Sequence, residues 1–396
     1  MIVLSLFLIL GITYLISPEY IENKVMDLFL PTVNIENKYK NKIVVENPEV
    51  YELMQIACSL TETFQKDQNL IDKRTEYYYD FENYFSSFKD HQLIIKLNEY
   101  LKSNPYGPTQ HAIRLLSLNY EINNENKLNS NELLNISPVL IKLFKSKAFL
   151  IPENINLIED FANKSNFKNF YNKHKNYYNK LIFNYNKLCD FQNMKNWLED
   201  KFSNEYQSYR IIFSPLTGGF HNTMSFKSND ESMEQTFMFV SAPYENIDNI
   251  SAKDFEIKSS IMSRVVFTEI DHNYVNPLTD KYIGELEKAM TDYKLWNSQK
   301  GYQSKYSTFN EYMTWGVFNL YAIDTYSKEN IDTILKIQTD FMNDKRKFNR
   351  FREFSDELVK LYKANSKPKI EVLYNPIFKW IEQKSILNNE NKAYAR

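Results

Sequence analysis

Apolar positions recur at three- and four-residue intervals along most of the chain. After Asn47, the residues Val50, Leu53, Met54, Ala57, Leu60 and Thr61 fall on one helical stripe, with Pro48 where a first turn tolerates a missing N–H. The same spacing predicts helices over 77–88, 91–101 and 109–120. The Asn-rich stretch 121–135 reads as a loop, and helical character returns over 138–202 with a break near Pro152. The period then changes. Segments 209–216 (YRIIFSPL) and 236–242 (TFMFVSA) are short, aromatic and β-branched, which predicts strands. Between them stand Gly218 and Gly219, a pair that marks a sharp turn or a closely approached backbone. A helix is expected from 253 to about 272, bounded by Pro277, followed by helices at 279–294, 308–326, 331–341, 354–362 and 376–384. No fixed-period repeat supports a solenoid. The chain therefore reads as α+β and mostly helical, with a small β-sheet ahead of the helix at 253–272.

The N-terminus has its own pattern. Residues 2–17 are an uncharged apolar run ended by Pro18. That is short of the roughly 20 residues of a membrane span and close to a signal-peptide core of about 7 to 15. Residues 1–22 are thus expected to be a signal peptide or an N-terminal membrane anchor, and the protein to be exported (periplasmic, cell-surface or secreted). No Lys or Arg precedes the run and no small-x-small site follows it cleanly; a buried N-terminal helix is the alternative. Residues 23–45 read as a linker, 46–250 as a helical region with strands over 208–243, and 251–396 as a second helical region.

Composition narrows the function classes. The 396 residues are 43% hydrophobic and 15% aromatic, enough for a sizeable core and against wholesale disorder. Lys and Arg number 48 against 50 Asp and Glu, a balance with no electrostatic footprint for nucleic acid. Two cysteines, Cys58 and Cys189, supply neither a disulfide framework nor a thiolate metal site. Imidazole chemistry must draw on five histidines: His91, His111, His174, His221 and His272.

One string stands out. In 267–277 (FTEIDHNYVNP), Glu269 and His272 are three apart and Thr268 and His272 four apart, so each pair shares a helical face. The metallopeptidase motif HExxH uses this spacing, two His binding zinc and the Glu acting as general base. Here Thr268 stands at the first position, and the string reads TEIDH. The same residues also fit a helix end with a surface carboxylate and a His favoured by the helix dipole. A second string, 309–321 (FNEYMTWGVFNLY), is an apolar helix with Glu311 near its start, where a later metal ligand would lie or where the dipole favours an acid. A third, 214–223 (SPLTGGFHNT), places His221 after the Gly pair, as a cleft-lining ligand or oxyanion stabiliser or as a polar turn residue.

These strings, together with 48–61 (PEVYELMQIACSLT), resemble a family of exported bacterial proteins, common in Bacteroidetes, catalogued as a domain of unknown function and similar to zinc metallopeptidases of the Glu-zincin group. The resemblance covers most of the chain from about residue 45. It implies a zincin-like fold, a peptide or protein substrate, and a zinc ion held by His272 and Glu311, with Glu269 as general base or ligand. His221 and Tyr321, or Tyr312, would then stabilise the oxyanion. Thr268 departs from the pattern, so His221 or Asp271 would have to complete the shell, or the chain is a metal-free homologue that binds a ligand or partner. Asp271 points about 100° from His272 on a helix and is the weaker rescue.

Overall fold

The computed structural model describes residues 31–138, 141–142, 146–299 and 301–394. The apolar N-terminal run lies outside them, and its signal or anchor reading with it. The chain divides into two compact units, one of Phe29–Cys189 with Tyr206–Asn249, the other of Asp190–Glu205 with Ile250–Arg396. The first carries the main sheet and the second carries TEIDH. No described helix is long and apolar enough to cross a membrane.

In the sheet unit, four strands, β1 (Ile43–Glu46), β2 (Ser208–Ser214), β3 (Asn222–Lys227) and β4 (Glu234–Ser241), lie in the order β1-β2-β4-β3. β2 pairs in parallel with β1, Val45 opposite Ile211, and with β4, Ile211 opposite Met238. β3 closes the edge antiparallel to β4, with Met224 opposite Phe237. Every residue of β2 is buried, as expected of a central strand covered on both faces. Residues 31–45, expected within a linker, belong instead to the sheet unit: β1 starts at Ile43, and Val33, Ile35 and Tyr39 are buried with Phe226, Phe237 and Phe239 in one core cluster. The longer described helices of this unit are α1 (Glu49–Ser59), α2 (Glu76–Phe85), α3 (Gln92–Ser103), α4 (Pro108–Ser117), α5 (Ile155–Lys164) and α6 (Phe167–Leu188). The expected loop at 121–135 contains a short hairpin, Tyr120–Ile122 against Leu128–Ser130. At Gly218 a Cβ would stand 2.6 Å from the Gln68 carbonyl oxygen, so the Gly pair answers to close backbone approach.

The motif unit is helical: α7 (Phe191–Lys201), α8 (Ala252–Lys281), α9 (Ile283–Ala289), α10 (Lys305–Thr325), α11 (Ile331–Asp340), α12 (Phe351–Ala364) and α13 (Glu371–Tyr394). α7, expected with the N-terminal region, packs here instead: Trp197 lies against Phe267 and Tyr321 and donates to Asp324 Oδ2 at 3.0 Å. α8 starts at an N-cap, Ser251, and runs through Pro277 rather than ending near His272. Val266, Ile270, Tyr274 and Leu278 bury one face on both sides of the proline, and that packing outweighs its local cost of about 3 kcal/mol. α10 is buried from Phe309 to Ala322 and opens with a Ser304–Ser307 capping box. α12 approaches it at Gly316, where a Cβ would meet Leu358 Cδ2 at 2.7 Å and Phe354 Cε1 at 3.2 Å. Gly316→Leu is therefore expected to overpack this contact and lower stability by about 1–3 kcal/mol, read as a lower urea midpoint at unchanged m-value.

Candidate functional site

Helical periodicity puts Arg264, Thr268, His272 and Asn276 on one stripe of α8, and Glu311 and Trp315 on one stripe of α10. The stripes meet at His272 and Glu311, whose Nε2 and Oε1 are 3.4 Å apart. Glu311 Oε2 accepts a hydrogen bond from Arg346 Nη1 at 2.7 Å, and Arg346 Nη2 donates to the Tyr302 hydroxyl at 2.5 Å. His272 Nδ1 lies 3.3 Å from Asn276 Oδ1. Arg346 follows a π-helical turn at the end of α11, Phe341–Lys345, which is what delivers its guanidinium to this seam. Trp315 floors the arrangement: Arg264 lies 4.5 Å from its ring and Arg346 5.1 Å, while Phe341 stacks on it at 5.6 Å.

The electrostatics follow from burial and pairing. Burial alone would raise the Glu311 carboxyl, but the Arg346 charge and the His272 contact overcome it and hold it at about 2. Burial disfavours the His272 imidazolium, and the Glu311 hydrogen bond and charge reverse that, raising its pKa above the ordinary value. Both ring nitrogens face acceptors, which suits the doubly protonated ring. The result is a carboxylate held by the Arg346 guanidinium on one oxygen and by the His272 imidazole on the other. Asp271, one residue away, is fully buried and neither carboxylate oxygen has a hydrogen-bond partner. Burial, then the charges of Glu269 and Glu311, push its pKa well above the carboxylate range, which favours the protonated acid.

The structure brings together His272 and Glu311, with Glu269 half-buried close enough for its charge to act on His272 and Tyr302. It removes the dipole readings of both: His272 is nine residues from the end of α8, and Glu311 stands in the second turn of α10. It does not bring in the tyrosines. Tyr321 is ten residues along α10 from Glu311, about 15 Å at the helical rise. There it stacks on Phe267 at 4.8 Å and accepts from Asn193 at 3.3 Å, as a core residue. Tyr312 donates to the Trp296 carbonyl at 2.7 Å and accepts from the Arg350 N–H at 3.1 Å, also within the core. His221 belongs to the sheet unit, half-buried just ahead of β3. His91 caps α3 and pairs with Asp160, and His174 is held between the Phe170 carbonyl and Asp80. Sequence reasoning missed Arg346 and Tyr302, which lie in no helical register with TEIDH.

A separation of 3.4 Å suits two ligands sharing one zinc ion at bond lengths of about 2 Å. A third protein ligand is missing. The Thr268 hydroxyl donates to the Arg264 carbonyl at 2.9 Å, Asp271 is directed into the core, and the second oxygen of Glu311 holds a guanidinium. Among the described residues no three His, Cys, Asp or Glu side chains form a group able to hold a metal ion. The residues present do not fit the three-ligand zinc site.

A family model described as "Domain of unknown function (DUF4932)" matches residues 43–367, which takes in most of both units. No curated protein and no solved structure matches the chain.

Proposed function

The chain belongs to the DUF4932 family, and on that premise we propose that it is an exported, metallopeptidase-like protein whose motif helices bind a peptide or protein ligand without a catalytic metal. One observation carries this reading: the carboxylate that would face zinc, Glu311, is bonded to Arg346 at 2.7 Å. A guanidinium occupies the role of counter-cation that a dication would otherwise fill, and it cannot be deprotonated to make way. The Thr268 hydroxyl at the first motif position points the same way, since it is a poor zinc ligand beside imidazole. The chain order of sheet, motif helix and Glu311 helix supports the zincin-like comparison.

A second reading, a zinc-dependent peptide hydrolase with an incomplete site, is favoured by the His272–Glu311 separation of 3.4 Å. Metal analysis of the purified full chain after zinc dialysis discriminates the two. The binding reading expects no stoichiometric zinc in the wild type and a gain in Thr268→His combined with Arg346→Gln. Stoichiometric zinc in the wild type, with peptidase activity that Glu269→Gln abolishes, would sink it and establish the hydrolase.

A further inference from the structure

The loop between β2 and β3, SPLTGGFHNT, was singled out by its glycines and His221, and the function proposed for the motif helices does not use it. Behind it lies an unusual interior. α1 carries Tyr51 and Gln55 one turn apart, and α4 carries Gln110 and Arg114 one turn apart; all four are buried to within a few per cent. The loop adds Thr217, 2% exposed, and the Nδ2 of Asn222. Gln55 Nε2, both polar atoms of the Gln110 amide and Asn222 Nδ2 are buried without a hydrogen-bond partner, and the Tyr51 and Thr217 hydroxyls have none beyond each other.

Contacts join Tyr51, Arg114, Thr217 and Asn222, and Gln110 stands one helical turn from Arg114 on α4. The Arg114 guanidinium donates to Asn222 Oδ1 and, at 2.7 Å, to the Phe220 carbonyl, and it lies 4.5 Å from the Phe220 ring. Tyr51 and Arg114 both pack on Phe239, at 5.6 Å and 6.0 Å. The Arg114 charge acts on the Tyr51 hydroxyl, and the Thr217 hydroxyl lies within hydrogen-bonding reach of it. A native interior rarely leaves this many polar atoms unmatched, since each orphaned group costs about 1–3 kcal/mol. Hydroxyls and amide N–H groups around a permanently charged guanidinium are the donor set of an oxyanion site. Gly219 is exposed and Phe220 to Asn222 are half-buried, so the loop is the side from which a ligand would enter.

We propose that Tyr51, Gln110, Arg114, Thr217 and Asn222 form a binding site for a small oxyanion, a carboxylate or a phosphate, beneath the β2–β3 loop. The site lies wholly in the sheet unit and stands or falls apart from the reading of the motif helices. It is tested by thermal unfolding of the full chain in inorganic phosphate and in acetate, against chloride at matched ionic strength. A saturable rise of several degrees, about what ligand at 100 Kd gives a protein of this size, is expected with one of the two anions, and which one names the source. Thr217→Val, near-isosteric, and Tyr51→Phe should each weaken the apparent affinity about tenfold or more, the loss of one hydrogen bond to a charged group. Two outcomes overturn the proposal. Either neither anion moves the transition beyond chloride, or the rise is the same in the wild type and in the Thr217→Val, Tyr51→Phe double variant.

Discussion

Glu311→Gln is expected to destabilise the protein by about 3–5 kcal/mol at pH 7, the range for breaking one partner out of a buried ion pair. Glu311 is 7% exposed and its partners His272 and Arg346 about one-fifth exposed, so solvent screening discounts little of this. The amide keeps the shape and removes the charge, leaving two cations side by side on the Trp315 floor. The pH dependence gives a second readout. Glu311 has its folded pKa depressed to about 2, so the stability it contributes is present above the unfolded value of about 4.5 and is lost as pH falls toward 2. His272 has a raised folded pKa, so its contribution is complete below about 6.5 and is lost as pH rises through the folded value. Both dependences should vanish in Glu311→Gln, and the imidazole titration of His272, followed by NMR, should move downward. A loss below about 1 kcal/mol with an unmoved imidazole would show that the clamp contributes no more than a surface pair.

The encounter of His272 with Glu311 was legible through the resemblance to Glu-zincins, which sets a Glu of a later helix beside the His of the motif helix; periodicity added only which residues share a face of each helix. Arg346 was not legible, since its position depends on a π turn that no apolar spacing announces, and Tyr302 reaches the site from a connecting segment. Pro277 was read as a stop from local preference, and the buried faces of α8 and α10 overrode it. The strands divide by burial in the same way. β2 and β4 carry continuous apolar runs and were found, whereas β1 and β3 are edge strands, short or half-exposed, whose sequences IVVE and NTMSFK lack that mark. The order of helices, sheet, motif helix and Glu311 helix was thus readable. What neutralises Glu311 was not.

Asp271→Asn is expected to stabilise the protein, and increasingly so as pH rises. The wild-type carboxyl has neither oxygen hydrogen-bonded and a folded pKa well above the carboxylate range, while the unfolded chain ionises near pH 4. Between those two values the folded state holds a proton that the unfolded state has released. Wild-type stability should therefore fall with rising pH by about 1.4 kcal/mol per unit from this group, the opposite sign to a salt-bridged acid. Asparagine cannot ionise, so the variant lacks this slope, and the gap between the two proteins should open from near zero at about pH 4. Urea unfolding at three pH values across the acid-to-neutral range measures it directly. If wild type and variant ran parallel, Asp271 would be charged in the folded state and held by a partner, and the carboxylate excluded from the metal test would have to be counted again beside His272 and Glu311.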